Sequence, residues 1–341
     1  MRIHVLTNDG SPREVTMKSI WGDGVHIGVG GAELALLTMC EEWQKAGHEV
    51  VLFNDPIEVG ASTFEQRAID AYNPAEDRDV VIVFRSPNLK VIKSKGLKVW
   101  WSCDQRTVGN FKEFRSMVDK VVVISPYHRD YFIGKYGIMD GIVIDLPVRV
   151  HEYENKNITK VKNRFIFTSV PARGLDVMLD IWPRIMQSIP DASLVITSDY
   201  RLWGSKVGQS NEQFIARALQ LAGITYLSAV PRSTLIEQQL MAEINVYPCL
   251  YDELFCIAVA ETQVAGIYPI TSDCGAMATT NMGIRIPGDA NATRNEYITQ
   301  AILAEKRIRE EGYDLELQKK AIERFHPDRI LKEWNEKVFN V

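Results

Sequence analysis

The sequence predicts an α/β protein of two tandem domains, each built on a parallel β-sheet. Short apolar runs alternate with helical patterns along most of the 341 residues, as in doubly wound folds. Several runs are uninterrupted Val and Ile, which is typical of strands covered on both faces. A chain of this length is sufficient for about two domains with separate cores.

The first half of the chain contains the candidate strands of one domain and a long helix after the first of them. The helix is expected at Ala32–Ala46. Most of the strands are separated by segments long enough for a helix, which indicates parallel pairing. The strands are predicted at Ile3–Leu6, Glu49–Phe53, Val80–Phe84, Lys98–Trp101, Lys120–Ile124 and Ile142–Leu146.

The second half repeats this alternation and then changes character. Strands are predicted at Arg164–Ser169, Ser193–Thr197, Thr225–Leu227, Ile244–Tyr247 and Tyr268–Thr271. Helices are predicted at Leu175–Ser188, Gln213–Ala222, Thr234–Met241 and Phe255–Ala265. After Gly288 the strand pattern ends, and charged helical segments follow over Glu305–Glu323 and Asp328–Val338. The pattern indicates two Rossmann-like domains followed by a helical tail.

A polar stretch at His151–Asn163 separates the two halves and has little to bury. We place the domain linker there, because boundaries fall in exposed polar segments. The sequence thus predicts an N-terminal domain over residues 1–155, a C-terminal domain over residues 156–324 and a helical segment over residues 325–341.

The composition is that of an ordinary globular protein kept inside a cell. The net charge of −5 gives no reason to expect binding to nucleic acid or to an anionic membrane. The five cysteines form no C-x-x-C pair, so neither a zinc site nor a disulfide framework is indicated. No run approaches the ~18 apolar residues of a membrane span, and Met1–Leu6 is typical of a strand rather than a secretory signal. We expect a cytoplasmic location without stable membrane insertion.

The most informative segment is Tyr251–Gly266, which contains the glutamates Glu253 and Glu261. Glu261 is the only charged residue from Leu254 to Ser272, so we expect it to be buried and to need a partner. The partner is either a ligand hydroxyl or a neighbouring backbone group or arginine. Glu253 precedes the helix, where free N–H groups and the helix dipole attract a phosphate; a plain helix-start carboxylate is the alternative. Together the two glutamates predict a nucleotide-sugar site.

Two further strand-to-helix junctions carry candidate ligand-binding residues. Gly28–Gly31 opens the first long helix, and its glycines, Gly30 and Gly31 among them, allow close approach of a ligand to the backbone; a flexible loop explains the pattern equally well. In the second half, Ser169 ends a strand, and Arg173 precedes the next helix. An arginine there can neutralise a diphosphate through paired hydrogen bonds, although a surface arginine near a helix start is the alternative.

Asp104 follows a predicted strand of the first domain, after Trp100 and Trp101. At that position it faces the crevice outside the carboxyl end of the sheet, where open α/β sheets bind ligands. An aspartate that caps the next segment is an equal alternative. We include Asp104 among the candidate catalytic residues.

These elements resemble the retaining glycosyltransferases of family 4, which have the two-Rossmann GT-B fold. Glu253 and Glu261 match the E-x7-E element of the family, and the following Ala-Gly-Ile-Tyr-Pro-Ile-Thr-Ser resembles its next strand. Gly30–Gly31 with Gly-His-Glu-Val at residues 47–50 is similar to the family's N-terminal pattern. The resemblance extends to Arg173-Gly-Leu-Asp and to Phe325–Trp334, which is similar to the helix that returns to the first domain.

The resemblance implies roles for residues on the donor side. Glu261 would hold the ribose hydroxyls, and Glu253 the hydroxyls of the transferred sugar. Arg173 would stabilise the diphosphate, assisted by backbone N–H groups of Phe255, Cys256 and Ile257. Ser169, Gly30 and Gly31 complete the expected donor-binding set, and Glu253, Arg173 and Asp104 the expected catalytic set.

The resemblance further implies retaining transfer from a nucleotide-diphosphate sugar, most simply a UDP- or GDP-sugar, without a metal or other cofactor. The acceptor is expected to be a saccharide or small molecule before a nucleic acid or a lipid. Among the departures from the family pattern, the additional arginine falls at Phe167 or Thr168 here, so one cation is either missing or replaced by another arginine such as Arg201 or Arg232. This makes a nucleotide-sugar-binding protein with little turnover one alternative. A GT-B-fold epimerase is the other.

Overall fold

The computed structural model describes residues 1–8, 14–105, 108–203 and 210–341. The chain forms two compact units. The first unit comprises Met1–Pro147 and Phe325–Val341, and the second comprises Val148–Arg324. The boundary therefore lies before the predicted linker at His151–Asn163. The start of that polar stretch is part of the second unit because Glu152 and Tyr153 are buried in it.

The first unit contains a seven-stranded sheet with the order β3-β2-β1-β4-β5-β6-β7. Every neighbouring pair is parallel, and Val5 of β1 lies opposite Leu52 of β2 and Ile82 of β4. The strands are β1 Arg2–Leu6, β2 Glu49–Phe53, β3 Glu65–Arg67, β4 Val80–Phe84, β5 Leu97–Trp101, β6 Lys120–Val123 and β7 Gly141–Val143.

The helices of the first unit include a long α2 after β1 and the C-terminal α12. They are α1 Met17–Trp21, α2 Gly31–Lys45, α3 Phe111–Arg115, α4 Pro126–Tyr136 and α12 Pro327–Trp334, which runs into a π-helical turn at Asn335–Phe339. Trp334 of α12 is fully buried, with its ring centroid 5.1 Å from that of Trp43 and 5.2 Å from that of Trp101. These edge-on aromatic contacts attach the C-terminal segment to α2 and β5.

The second unit contains a six-stranded parallel sheet with the order β10-β9-β8-β11-β12-β13. Asn245 of β11 lies opposite Ile166 of β8 and Pro269 of β12. The strands are β8 Arg164–Phe167, β9 Ser193–Ile196, β10 Ile224–Tyr226, β11 Ile244–Tyr247, β12 Tyr268–Ser272 and β13 Ile284–Ile286.

The helices of the second unit lie between its strands and after the last of them. They are α5 Leu175–Ser188, α6 Glu212–Ala218, α7 Arg232–Met241, α8 Ile257–Val264, α9 Met277–Thr280, α10 Arg294–Glu311 and α11 Leu315–Phe325, whose final residue is assigned to the first unit. The hydrophobic core of this unit includes Phe165, Trp182 and Tyr297, all fully buried.

The predicted α/β class with two parallel sheets is confirmed. Two short strands, β3 and β13, were not predicted from the sequence. Both are edge strands of three residues with only one buried residue each, so neither has the continuous apolar run of a strand covered on both faces. The helix predicted at Phe255–Ala265 begins two residues later, at Ile257, because Cys256 has a left-handed φ of 67° that a helix cannot contain.

Candidate functional site

The candidate site lies where the strand order of the second sheet reverses. β8 and β11 are neighbours, but β8 continues to β9 on one side and β11 continues to β12 on the other. Loops that leave two such strands in opposite directions open a crevice at their carboxyl ends, which is the usual ligand site of an open α/β sheet. Ser169 and Arg173 follow β8, and Glu253 follows β11.

Gly174 allows the loop after β8 to approach the loop after β11. Its φ is +104°, and a Cβ at this position would lie 2.1 Å from the carbonyl oxygen of Pro248. No other residue fits both the backbone conformation and the space. The glycine therefore places the short 3₁₀ turn Pro171–Arg173 directly beside the segment that carries Glu253.

Arg173 and Glu253 form an ion pair at this point. Arg173 Nε lies 3.0 Å from Glu253 Oε1, and each side chain is only 15% exposed. The guanidinium carbon of Arg173 is 3.4 Å from the ring centroid of Tyr251, a stacked cation–π contact. The Tyr247 hydroxyl lies 3.4 Å from Glu253 Oε1 and 3.0 Å from Ser169 Oγ. Residues expected to contact the diphosphate and the sugar are thus brought together.

The protonation of Glu253 reflects competing effects. Burial raises the pKa of its carboxyl, while Arg173 and the Tyr247 hydroxyl act in the opposite direction, and the net effect is a raised pKa. Burial lowers the pKa of Arg173, but Glu253, Tyr247, Cys249 and Tyr251 together raise it above its ordinary value. The pair therefore supplies a permanent positive charge beside a carboxylate that accepts hydrogen bonds when ionised.

The start of α8 has an unusual backbone conformation. Cys256, the residue before the helix, has φ 67° and ψ 81°, which is uncommon for a residue with a side chain and often marks a functional site. The side chains of Phe255 and Cys256 are buried, so backbone groups are what this turn offers to a ligand. The first turn of α8 carries N–H groups without partners inside the helix, which suit an anion.

Glu261 lies one turn further along α8 and is buried in contact with an arginine. Its side chain is 6% exposed, and its Oε1 lies 2.9 Å from Nη2 of Arg232, the first residue of α7. The two atoms are close enough for an ion pair, yet each is buried without a hydrogen-bond partner of suitable geometry. A buried hydrogen-bonding atom left unpaired costs about 1–3 kcal/mol.

Arg232 also contacts a second buried carboxylate. Its Nε donates to Oε2 of Glu152 at 2.5 Å, and Nε of Arg149 donates to Oε1 of the same glutamate at 2.5 Å. Glu152 is 2% exposed and Arg232 6%. Burial lowers the pKa of Arg232, but Glu261, Tyr153 and Glu152 together raise it above its ordinary value. The buried network runs from Arg149 through Glu152 and Arg232 to Glu261. Its charges alternate, so it is neutral as a whole.

Sequence reasoning missed several residues of this region. Tyr247 and Tyr251 were not singled out, because an aromatic residue at a strand end is more often part of the core. Glu152 was assigned to a polar linker, and its burial depends on an arginine eighty positions away. Arg232 was named as a possible replacement cation, but it is engaged by Glu152 and Glu261. Arg201 pairs with Asp199 at 2.7 Å, and Arg173 remains the guanidinium beside Glu253.

Three predicted site residues belong to the first unit. Gly30 caps α2, and Gly31 is its first residue. Asp104 follows β5, with its Oδ2 3.9 Å from Nε of Arg85, whose Nη1 lies 3.6 Å from Oε1 of Glu33. Asp104, Arg85 and Glu33 thus form a charged group at the carboxyl end of the first sheet.

In the described ranges, no three or more His, Cys, Asp and Glu side chains are arranged to hold a metal ion. Among the same residues, no helix combines the length and the apolar character needed to cross a membrane.

Residues 151–282 match the model of the family described as glycosyl transferases group 1. The matched segment contains Glu152, Arg173, Arg232, Glu253 and Glu261, and is therefore the part of the chain that carries the candidate site. No curated protein matches the chain in sequence.

Solved glycosyltransferase structures resemble the fold over almost the whole chain. The glycosyltransferase of Rickettsia africae ESF-5 has a TM-score of 0.69 at 15% identity, with 98% of this chain and 96% of that chain covered. Sucrose-phosphate synthase of Thermosynechococcus elongatus has a TM-score of 0.67 at 14% identity, with all of both chains covered. Alr3699/HepE of Anabaena in complex with UDP-glucose has a TM-score of 0.67 at 15% identity, again with full coverage of both. The fold is thus that of the GT-B glycosyltransferases.

Proposed function

We propose that this protein is a retaining, metal-independent glycosyltransferase that moves a sugar from a nucleotide-diphosphate sugar to an acceptor hydroxyl. The observation that carries the proposal is the Arg173–Glu253 ion pair at the strand-order reversal of the second sheet. It puts a cation for the diphosphate and a carboxylate for the sugar hydroxyls at one point. Glu261, on the helix that begins beside this pair, supplies the carboxylate for the ribose.

The proposed reaction needs little proton chemistry from the protein. The bond between the anomeric carbon and the diphosphate oxygen breaks, and a bond from the acceptor oxygen to the same carbon forms on the same face. The acceptor proton passes to the departing phosphate oxygen. Arg173 and the N–H groups at the start of α8 stabilise the negative charge that develops there, so catalysis depends on positioning and charge stabilisation.

The first test is calorimetric titration of the protein with UDP, GDP, ADP and dTDP, with and without magnesium. We expect tight binding of one nucleoside diphosphate that magnesium does not change. UDP is the first choice because the similar Alr3699/HepE was solved with UDP-glucose. Absence of binding to all four would contradict the proposed function, and magnesium-dependent binding would contradict metal independence.

The second test establishes the stereochemistry. With the nucleotide known, its sugar derivatives are incubated with a panel of saccharide and small-molecule acceptors, and the product is examined by proton NMR. We expect the anomeric configuration of the donor in the product. An inverted configuration would remove the retaining mechanism but leave glycosyl transfer intact.

A nucleotide-sugar-binding protein with weak turnover is the second candidate. It is supported by the absence of the family's additional arginine at Phe167 or Thr168; its two candidate replacements, Arg201 and Arg232, each pair with a carboxylate of the chain. Glu253→Gln separates the candidates. An enzyme would lose transfer, whereas a binding protein would lose only its preference among sugars. Recovery of the donor with one inverted sugar carbon would instead indicate an epimerase.

A further inference from the structure

We propose that Arg232 is a positioning residue, which orients Glu261 toward the ribose hydroxyls of the donor and is itself oriented by Glu152. The proposal rests on the proposed function, because it assigns a nucleotide ribose to Glu261. It adds to that function a part of the molecule, the Val150–Glu152 turn and the start of α7, that carries Glu152 and Arg232.

The position of Arg232 is difficult to explain by stability alone. It is the first residue of α7, where the helix dipole disfavours a positive charge. It is also nearly completely buried, and burial disfavours its charge as well. Replacing a buried ion pair by apolar residues often leaves stability unchanged or improves it. The helix dipole and burial both disfavour a cation at this position. Its presence therefore points to a requirement for a fixed geometry.

The planar guanidinium meets this requirement for a fixed geometry. Nε points to Glu152 and Nη2 to Glu261, so the planar group is held from one side and directs the carboxylate on the other. Lysine would keep the charge, but its compact ammonium has rotatable donors and lacks the planar fork that fixes the direction of both contacts. Glu152 in turn is fixed by Nε of Arg149. Each member of the network therefore restricts the orientation of the next.

The contact between Arg232 and Glu261 has hydrogen-bonding capacity left over. Nη2 and Oε1 are 2.9 Å apart but not aligned, and both atoms are buried without another partner. A ribose diol carries two donors and two acceptors in a fixed arrangement. In our proposal Glu261 accepts from these hydroxyls, and a small rotation of its carboxylate then aligns Oε1 with Nη2. Binding of ribose would thus complete the network.

The test measures affinity for ribose hydroxyls separately from affinity for the diphosphate. Calorimetry gives Kd for UDP and GDP and for the 2′,3′-dideoxy analogue of each, with wild type, Arg232→Lys and Glu152→Gln. We expect the dideoxy analogue to bind wild type about tenfold more weakly, the size of a lost charge-assisted hydrogen bond. In Arg232→Lys this ratio should fall to about twofold, through weaker binding of the ribonucleotide alone, and Glu152→Gln should give an intermediate ratio.

Arg309→Lys is the matched control. Arg309 pairs with the buried Glu243, which precedes β11 at the opposite, amino end of the sheet. Its replacement should lower the melting temperature as Arg232→Lys does, but leave the ratio at its wild-type value. The ratio thus distinguishes positioning from a purely structural role. If Arg232→Lys does not fold, Glu152→Gln still tests the proposal because Arg232 is retained.

Several results would overturn the proposal, and they differ in whether they also contradict the proposed function. Equal weakening of both ligands in Arg232→Lys, or an unchanged ratio in the two site variants, would refute the positioning role while the proposed function stands. A wild-type ratio of one would refute ribose binding by Glu261 and therefore this inference. No binding of UDP or GDP to wild type, together with no binding of ADP or dTDP in the first titration, would refute both this inference and the proposed function.

Discussion

The first unit attaches its C-terminal segment through a buried aromatic cluster, whereas the second unit buries an ion-pair network beside its candidate site. In the first unit, Trp43, Trp101 and Trp334 pack edge to face, and His4 and His128 are fully buried. In the second unit, the corresponding feature is the chain of charges through Arg232 and its two glutamates. Both units have the same order of their first strands around the point of reversal.

This difference shows that the same parallel-sheet architecture can carry a buried cluster that stabilises the fold in one unit and a buried network that orients a ligand-binding residue in the other. Neutral aromatic clusters contribute stability through area and contact. Buried ion pairs contribute little net stability, because desolvation offsets the attraction, but they fix orientation. We therefore expect substitutions in the aromatic cluster of the first unit to change mainly folding, and substitutions in the network of the second unit to change mainly ligand binding.

The largest expected effect on stability is that of Trp334→Ala. Loss of a fully buried tryptophan costs about 3–5 kcal/mol, and Trp334 attaches the C-terminal helix to Trp43 and Trp101. Urea unfolding followed by tryptophan fluorescence would measure it, with Trp21→Ala as control, since Trp21 is 44% exposed. If Trp334→Ala also abolished nucleoside-diphosphate binding while the protein stayed folded, the expectation that the aromatic cluster affects mainly folding would be wrong.

The next effect is on the rate of transfer. Arg173→Gln removes the cation beside Glu253, and loss of one such group that stabilises transition-state charge lowers kcat by about 10²–10³. Arg184→Gln, on the exposed face of α5, is the control. Steady-state kinetics with the sugar donor found in the tests of the proposed function gives the result. A change confined to KM would mean that Arg173 binds the ground state and the transition state equally.

Acid should affect the first unit through its histidines. Burial, followed by Arg78, lowers the pKa of His4 from 6.5 to about 4, and burial lowers the pKa of His128 to about 3. Below pH 6.5 these two imidazoles become protonated in the unfolded chain but stay neutral in the folded chain. The stability contributed by these neutral histidines is therefore fully present above pH 6.5 and is lost as the pH falls toward 4, by about 2 kcal/mol per histidine at pH 5.

Urea unfolding at pH 7 and pH 5 measures this loss. His4→Gln should reduce the difference between the two pH values, while His151→Gln, at an exposed position, should leave it unchanged. An equal difference in wild type and His4→Gln would show that other groups dominate the acid response.

The smallest effect concerns affinity. Glu261→Ala should weaken binding of the nucleoside diphosphate about tenfold, since it removes the carboxylate assigned to the ribose. Glu243→Gln is the control, because Glu243 is also buried and paired but lies at the other end of β11. Unchanged affinity in Glu261→Ala would contradict the role we assign to this glutamate.

Central elements of the fold are predictable from local sequence. The strands Glu49–Phe53, Val80–Phe84 and Ile244–Tyr247 and the helix Leu175–Ser188 have the bounds expected from their apolar patterns. They are predictable because their pattern reports directly on burial at both faces of a strand or along one stripe of a helix. The edge strands β3 and β13 and the buried Glu152 carry no such local pattern.

The sequence by itself determined the α/β alternation, the glutamates Glu253 and Glu261 in a nearly uncharged segment, and the glycine that follows Arg173. Each of these is a property of a few neighbouring residues. Only the tertiary structure decided which arginine meets which glutamate: Arg173 meets Glu253 because β8 and β11 are adjacent, and Arg232 joins Glu152 to Glu261. Such pairing depends on strand order, which contacts distant in sequence determine.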